Sequence, residues 1–216
     1  MAEAIEGEQL VVERGGRAII SGLSFRATAG RALLLLGANG AGKTTLIRAC
    51  AGLLPARSGR IALRGGDPEL TIGEQCHYVG HLNALKASMT VRENLMFWAE
   101  FLSSAGVSSG VARPRDAVAR SLERFRLTSL ADAPAGYLSA GQKRRAALAR
   151  LLVASRPLWL LDEPTVALDI EMRELFVEVV DEHLKAGGLV VAATHLPLPF
   201  SASEELRLGA GTEVFA

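Results

Sequence analysis

Short runs of apolar residues alternate along the chain with longer segments whose apolar residues recur at helical spacing. The runs at 33–36, 158–161 and 189–193 have the length and composition of strands that are buried on both faces. Helical spacing follows the first of these runs and returns between residues 172 and 184. Buried strands that alternate with amphipathic helices predict an α/β fold with a mostly parallel sheet and helices on both faces.

Two further segments have a different pattern. Strand patterns at 9–13 and 19–26 flank Gly15-Gly16, which predicts an N-terminal antiparallel β subdomain that begins with a hairpin. Thr90 and Glu93 have the spacing of a capping box and open a segment that is helical in pattern. We therefore expect a single domain over residues 1–216, with a core formed by 1–83 and 136–216 and an inserted helical subdomain at about 84–135.

Composition and charge exclude several classes of protein. The 216 residues are 49% hydrophobic, which is enough to bury a core, and the formal net charge is only +1. Nothing in this balance favours nucleic acid or an anionic membrane surface. No apolar run approaches the ~20 residues of a membrane-spanning helix, and the first ten residues lack the pattern of a signal peptide, so we expect a cytosolic chain. Cys50 and Cys76 have no metal-binding spacing and are expected in the core.

The first apolar run leads into a glycine-rich stretch, GANGAGKTT, and then into a predicted helix. The glycines allow the backbone to wrap around a polyphosphate, and the helix N-terminus adds a favourable dipole. Lys43 supplies a point charge to the β- and γ-phosphates, and the Thr44 hydroxyl can ligate Mg²⁺. A structural glycine turn is the alternative, but the strand–loop–helix context favours phosphate binding. The predicted phosphate-binding residues are Gly37, Ala38, Asn39, Gly40, Ala41, Gly42, Lys43, Thr44 and Thr45.

Two other predicted strands are followed by residues whose side chains can bind a metal or transfer a proton. Asp162 and Glu163 follow one apolar run, and His195 follows another. Because ligands bind at the carboxyl ends of parallel strands, we expect these residues to converge on the phosphate loop. Asp162 suits a Mg²⁺ contact, Glu163 can deprotonate an attacking water, and His195 can contact the γ-phosphate or that water. The plainer alternatives are a solvated strand end for the two acids and a core histidine for His195.

Taken together, these motifs resemble those of the ATP-binding cassette (ABC) ATPases. Residues 37–44 resemble Walker A, LSAGQ at 138–142 resembles the signature sequence, and LWLLDEP at 158–164 resembles Walker B with its catalytic Glu. Residues 167–169 resemble the D-loop, and His195 resembles the switch histidine. The resemblance spans nearly the whole chain and implies a P-loop NTPase core with ATP and Mg²⁺ as ligands. It also implies a head-to-tail pair of copies, with each ATP between Walker A of one copy and the signature of the other.

Three further assignments concern the signature and two departures from the family pattern. The spacing of Ser139 and Gln142 predicts a second capping box, and a helix N-terminus beside Gly141 is an anion site, so Ser139, Gly141 and Gln142 are assigned to the nucleotide. By the resemblance, His81 stands where a Gln usually contacts Mg²⁺ and couples to membrane subunits. Arg14 stands where an aromatic residue often stacks on adenine, and its guanidinium can stack there too.

Within the family, several details resemble the ATPases of bacterial cytochrome c maturation, a haem-exporter type. They are GLSF at 22–25, GH at 80–81, ENLMFWA at 93–99 and LSAGQKRRAALARL at 138–151. This implies an ATP-hydrolysing subunit that energises haem export or release for c-type cytochrome biogenesis. It would sit peripherally on the cytoplasmic side of the bacterial inner membrane, bound to multispanning membrane subunits. Haem is not expected to bind this chain directly, and no nucleic-acid partner is expected.

Other functions remain open as alternatives. One is an ABC ATPase subunit for another small-molecule exporter. Another is a soluble, non-transport ABC ATPase that acts on DNA or ribosomes, which is disfavoured by a single cassette without a basic run. A GTPase switch is disfavoured because the chain has no Asn-Lys-x-Asp motif. The aromatic residues Phe97, Trp98 and Phe101 either fill a helix core or face a partner.

Overall fold

The structure, a computed structural model, describes residues 2–103, 113–195, 198–209 and 213–215. Its contacts divide the chain into a first unit, Met1–Tyr78, Pro157–Glu163 and Val177–Ala216, and a second unit, Val79–Arg156 and Pro164–Phe176. The limits predicted for the core and the helical subdomain differ from these and stay a prediction.

The strands are β1 (Ala4–Arg14), β2 (Arg17–Thr28), β3 (Ala32–Leu36), β4 (Ser58–Arg64), β5 (Cys76–Val79), β6 (Leu158–Asp162), β7 (Leu189–Ala193), β8 (Ser203–Arg207) and β9 (Glu213–Phe215). The α-helices are α1 (Lys43–Cys50), α2 (Val91–Ser103), α3 (Pro114–Arg124), α4 (Ala140–Ala149) and α5 (Ile170–Lys185).

The strands form two sheets. β1 and β2 are antiparallel, with β4 on the other side of β1, so the predicted N-terminal antiparallel subdomain is confirmed. The larger sheet has the order β5-β6-β7-β3-β8-β9. Its pairs β6–β7, β7–β3 and β3–β8 are parallel, and β9 runs antiparallel to β8. The predicted α/β fold with a mostly parallel sheet is therefore confirmed.

Sequence analysis did not predict β8 and β9. β8 reads SEELR, and its only fully buried residue is Leu206. A strand with so little apolar alternation gives no periodic signal. Its position is determined by parallel pairing with β3, 167 or more residues earlier in the chain, through partners such as Leu35 and Leu206.

The core of the first unit lies around the central strands. All five residues of β6 and all five of β7 are buried, as expected for strands that are covered on both faces. The side chains of Cys50 and Cys76 are buried in this core, and burial raises the pKa of the Cys50 thiol well above its usual value. Each fully buried Leu or Val contributes about 1.5–3 kcal/mol relative to an exposed position.

The second unit is helical, and both predicted capping boxes form in it. Thr90 Oγ1 accepts a hydrogen bond from the Glu93 N–H at 3.1 Å, while the Glu93 carboxylate accepts one from the Thr90 N–H at 2.7 Å. α2 begins at Val91, and its apolar face buries Val91, Leu95 and Ala99. Among the described residues, no helix is long and apolar enough to cross a membrane.

A buried arginine and an aromatic ring connect two elements of the second unit. A short 3₁₀ turn, Arg150–Leu152, follows α4, and the Arg150 guanidinium lies 4.3 Å from the Trp98 ring centroid. Burial, together with the nearby charge of Arg144, lowers the pKa of Arg150 to about 10. Phe97 and Phe101, in contrast, are 53% and 57% exposed, so these two rings are not part of the helix core.

The C-terminus of α5 has a glycine cap. Gly187 has φ = +83°, a conformation that costs glycine little. Its N–H donates to the Leu184 carbonyl at 2.9 Å, and the Gly188 N–H donates to the His183 carbonyl at 2.9 Å. This is the Schellman arrangement, which satisfies two otherwise unpaired carbonyls and turns the chain from α5 into β7.

A stacked pair of rings joins the C-terminal part of α5 to β6 within the first unit. The rings of His183 and Trp159 are nearly parallel, at 4° and 3.9 Å between centroids. In the part of the chain that the structure describes, neither His183 Nε2 nor Trp159 Nε1 has a hydrogen-bond partner. Burial lowers the pKa of His183 to about 4, because the charged imidazolium would lose its hydration.

We expect His183 alone to lower the free energy of unfolding by about 2 to 3 kcal/mol as the pH is lowered from 6.5 to 4. In this window the unfolded state binds a proton at His183 that the folded state rejects, so stability falls as pH falls. Chemical denaturation at a series of pH values measures this dependence. His183→Phe keeps a stacked ring without the titrating group, and its stability should change less over the same window. Parallel curves for the wild type and the variant would show that His183 does not carry the effect.

Candidate active site

The register of three parallel strands in the first unit positions the candidate site. Ala193 at the end of β7 lies opposite Leu35 of β3 on one side and Asp162 of β6 on the other. The three strands therefore end level with each other. The phosphate loop, the Asp162-Glu163 pair and His195 all follow these ends, so they share one edge of the sheet.

The glycine-rich loop runs from the end of β3 to the start of α1. Gly42, the residue before α1, has φ = +102°, and a Cβ there would lie 3.1 Å from Ile19 Cγ2. Glycine is therefore needed at this position both for the backbone conformation and for the close approach of β2. Among the described residues, no side chain caps the N-terminus of α1. Its first N–H groups and the helix dipole are thus suited to an anion.

The Lys43 side chain folds back over the loop. Its Nζ donates to the carbonyl oxygens of Gly37 at 2.6 Å and Ala38 at 3.2 Å, and the residue is only 7% exposed. Two carbonyls compensate for the partial burial of the ammonium. The loop thereby holds one positive charge at its centre, where it can exchange carbonyl oxygens for the oxygens of a phosphate.

The loop and β6 are linked by one direct hydrogen bond. Thr44 Oγ1 donates to Asp162 Oδ1 at 3.0 Å, and Asp162 is 2% exposed. A hydroxyl and a carboxylate are hard oxygen ligands of the kind that Mg²⁺ takes together with phosphate oxygens. No group of three or more His, Cys, Asp or Glu side chains that could hold a metal occurs in the described ranges. The donor set therefore fits a cation that is held mainly by a nucleotide rather than by the protein alone.

Glu163 and His195 are in direct contact. Glu163 Oε2 lies 2.7 Å from His195 Nδ1, and the side chains are 22% and 54% exposed. Glu163 has φ = +49°, an unusual conformation for a residue with a side chain. Its N–H donates to the Ala193 carbonyl at 2.9 Å. The main-chain contact and the side-chain contact together hold Glu163 in place directly after β6.

The signature-like residues lie in the second unit. Ser139 Oγ accepts from the Gln142 N–H at 3.2 Å, and Gln142 Oε1 accepts from the Ser139 N–H at 2.8 Å, which confirms the predicted capping box. At Gly141, a Cβ would lie 2.9 Å from the carbonyl oxygen of Ala167, so the glycine is also needed for packing within this unit. The roles of Ser139, Gly141 and Gln142 toward a nucleotide stay predictions.

Arg14 and His81, the two residues that depart from the family pattern, are both exposed. Arg14 ends β1 at the hairpin turn of the first unit, where it pairs with Arg17. His81 belongs to the second unit and follows β5. The structure brings Thr44 and Asp162 together, but the metal role of His81 and the adenine contact of Arg14 stay predictions.

A cavity of about 310 Å³ beside the phosphate loop was not identified from the sequence. Apolar side chains of Ile19, Leu23 and Leu208 line it together with Gly40 and Ala41 of the loop. The pattern around Ile19 and Leu23 indicates a strand, and no sequence signal distinguishes a side chain that lines a cavity from one that fills the core.

A family model described as "ABC transporter" matches residues 20–166 of this chain. The match includes the phosphate loop, the capping box at Ser139 and the Asp162-Glu163 pair. The chain belongs to the ABC transporter family. It is an ATPase that binds ATP, as the phosphate loop and the adjacent acids indicate.

Curated relatives extend this match over nearly the whole chain of the ABC ATPase. A protein of Rhodopseudomonas palustris strain BisB5 is 50% identical over 206 residues, which cover 95% of this chain and 98% of the relative. A protein of strain BisB18 is 53% identical over 205 residues, and one of Bradyrhizobium diazoefficiens is 47% identical over 205, with the same coverage. All three are named cytochrome c biogenesis ATP-binding export protein CcmA.

Two solved structures show the same fold. An ATP-binding subunit of an ABC transporter matches 94% of this chain and 85% of its own length, with a TM-score of 0.81 and 24% identity. An ABC transporter ATP-binding protein from Pyrococcus furiosus matches 94% of this chain and 96% of its own length, with a TM-score of 0.76 and 22% identity. They support the fold of the ABC ATPase and no finer assignment.

We expect Lys43→Ala to weaken ATP binding by about 10- to 100-fold, because the charge-assisted contacts with phosphate oxygens are lost. Isothermal titration calorimetry with MgATP measures the change. Lys185→Ala, which removes an exposed ammonium at the end of α5, is the matched control and should leave the affinity unchanged. Equal affinities for the wild type and Lys43→Ala would contradict the assignment of the phosphate loop.

Proposed function

We propose that this ABC ATPase is the ATP-hydrolysing subunit of a membrane complex that energises haem export or release for c-type cytochrome biogenesis. The observation that carries the ATPase role is the contact between Glu163 and His195 at the edge of the sheet that also holds the phosphate loop. The relatives named for cytochrome c biogenesis, near 50% identity over almost the full chain, support the biological assignment.

The phosphate loop binds the triphosphate. Its N–H groups and the N-terminus of α1 hold the phosphate oxygens, and Lys43 turns from the loop carbonyls toward the β- and γ-phosphates. Thr45, 5% exposed in the first turn of α1, contacts the α-phosphate. Thr44 and Asp162 would hold Mg²⁺, which would supply positive charge beside the phosphates.

Hydrolysis depends on the Glu163–His195 pair. Glu163 accepts a proton from the water that attacks the γ-phosphate. His195 holds the carboxylate in place through Nδ1, which leaves Nε2 for the γ-phosphate or the water. Both residues act in the reaction, and the hydrogen bond between them orients them before the nucleotide binds.

A second copy of the chain completes the site. In a head-to-tail pair, the N-terminus of α4 with Ser139, Gly141 and Gln142 closes over the triphosphate held by the other copy. α4 has no acidic residue in its first turn, which suits this end of the helix to an anion. ATP binding then closes the pair and hydrolysis reopens it.

Membrane subunits receive this motion. The rings of Phe97 and Phe101 stack at 6.0 Å on the outer face of α2, and more than half of each residue is exposed. Such exposed aromatic residues support a partner-binding role. The ATPase is peripheral on the cytoplasmic side of the bacterial inner membrane, with multispanning subunits that carry the transport path. His81 would contact Mg²⁺ and take part in this coupling. Arg14 stacks on adenine, and haem does not bind this chain.

We expect Glu163→Gln to retain ATP binding, to lose about 10²- to 10⁴-fold in turnover and to accumulate as a closed dimer. The amide keeps the shape of the side chain but cannot accept the proton of the attacking water. Steady-state ATPase assays and size-exclusion chromatography with MgATP measure both effects.

The control for this substitution is Glu182→Gln, which changes an exposed carboxylate near the end of α5 in the same way. It should keep wild-type turnover and remain monomeric under conditions that trap Glu163→Gln. Turnover of Glu163→Gln at the wild-type rate would exclude Glu163 as the general base.

Affinity purification from detergent-solubilised membranes tests the partner assignment. We expect multispanning membrane subunits of a cytochrome c biogenesis system to copurify with the tagged full-length chain. Subunits of an unrelated exporter would favour the alternative small-molecule substrate. Ribosomal or DNA-repair proteins alone would contradict the transport function.

A further inference from the structure

The strained backbone at Glu163 needs support on both sides. A residue other than glycine with φ near +49° is in a conformation that costs free energy, and it persists only when the surrounding structure holds it there. On the N-terminal side, β6 and the hydrogen bond to the Ala193 carbonyl provide this support. On the C-terminal side the chain continues into Pro164, whose carbonyl oxygen accepts a hydrogen bond from the Arg144 side chain at 2.8 Å.

Arg144 is well suited to hold this segment. It is the fifth residue of α4, the helix that begins at the Ser139 capping box, and it is only 4% exposed. Its Nη1 donates to the Gly80 carbonyl at 2.9 Å and to Asn83 Oδ1 at 3.3 Å, while Nε holds Pro164. The rigid planar fork of a guanidinium can serve three acceptors in fixed directions, which the point charge of a lysine cannot do.

The same side chain therefore fixes two loops to one helix. One loop follows Glu163, and the other, Gly80–Asn83, contains the exposed His81 and Leu82 and leads into Ala84, a second residue with positive φ, at +51°. All these contacts of Arg144 lie inside the second unit. A shift of the 80–83 loop would therefore move the Arg144 guanidinium, and with it the carbonyl of Pro164.

We propose that Arg144 is a positioning residue for ATP hydrolysis. Arg144 holds the chain after Glu163 so that the Glu163 carboxylate stays oriented, and it links this orientation to the position of the 80–83 loop. The inference rests on the role proposed above for Glu163. Arg144 itself does not touch the reacting atoms. Its effect is therefore on the rate of hydrolysis, and ATP binding by the phosphate loop is unaffected.

The test is a double-mutant cycle between Arg144→Lys and Glu163→Gln in the full-length chain copurified with its membrane subunits. Because a displacement of the base by about 1 Å can cost up to 100-fold in rate, we expect Arg144→Lys to lower kcat by about 10- to 100-fold. The KM for ATP should change by less than about twofold. In the Glu163→Gln background the same change should have no further effect on the residual turnover, because the residue through which Arg144 acts is already lost.

Arg145→Lys is the matched control. Arg145 is the next residue on the same helix, and among the described residues its guanidinium donates to the carbonyls of Phe125 and Arg126. We expect its kcat and KM to equal those of the wild type, whereas a purely structural role of α4 arginines would impair both variants.

The outcomes separate the two proposals. A wild-type kcat for Arg144→Lys, or an equal loss of turnover in the wild-type and Glu163→Gln backgrounds, would overturn the positioning role and leave Glu163 as the base. Wild-type turnover in Glu163→Gln alone would overturn the function on which the inference rests.

If thermal melting shows that Arg144→Lys is unfolded, Asn83→Ala is assayed in the same cycle instead, because it removes one acceptor of the Arg144 guanidinium. The proposal is supported if Asn83→Ala lowers kcat in the wild-type background but not in the Glu163→Gln background. It is refuted if Asn83→Ala leaves kcat unchanged in the wild-type background.

Discussion

The hydrogen-bond register of three parallel strands is the constraint on which the site depends. Because Leu35, Ala193 and Asp162 lie side by side, a loop, an acid pair and a histidine from distant parts of the sequence come to one edge. A slip of one residue in any strand would turn its side chains to the opposite face. The complete burial of β6 and β7 makes such a slip costly, so the hydrophobic core fixes the geometry of the polar site.

The site holds its polar groups in place through its own internal contacts. Lys43 bonds to the carbonyls of its own loop, Thr44 bonds to Asp162, and Glu163 bonds to His195. Polar groups that are already oriented in this way need less reorganisation when charge develops beside them. The left-handed backbone of Glu163 is a local cost of this arrangement.

In the second unit, helix termini and buried arginines have a comparable role. The Thr90 and Ser139 capping boxes determine where α2 and α4 begin. Arg144 donates to acceptors that a purely apolar core would leave unpaired, and Arg150 lies against the Trp98 ring. The rings of Phe97 and Phe101, in contrast, lie exposed on the outer face of α2.

The sequence by itself determined the local features, because they depend on neighbouring residues: the phosphate loop before α1, both capping boxes, the glycine cap at Gly187 and the buried strands β3, β6 and β7. It also indicated Asp162, Glu163 and His195 through their positions at strand ends. Only the tertiary structure decided the pairing of β8 with β3, the direct Glu163–His195 contact and the burial of Arg144 beside the more exposed Arg145. The spacing of Arg144 to Ala147 and Leu148 is compatible with an inward position, but its acceptors Gly80, Asn83 and Pro164 lie 64, 61 and 20 residues away from it. Such contacts depend on packing between distant segments, which no local pattern encodes.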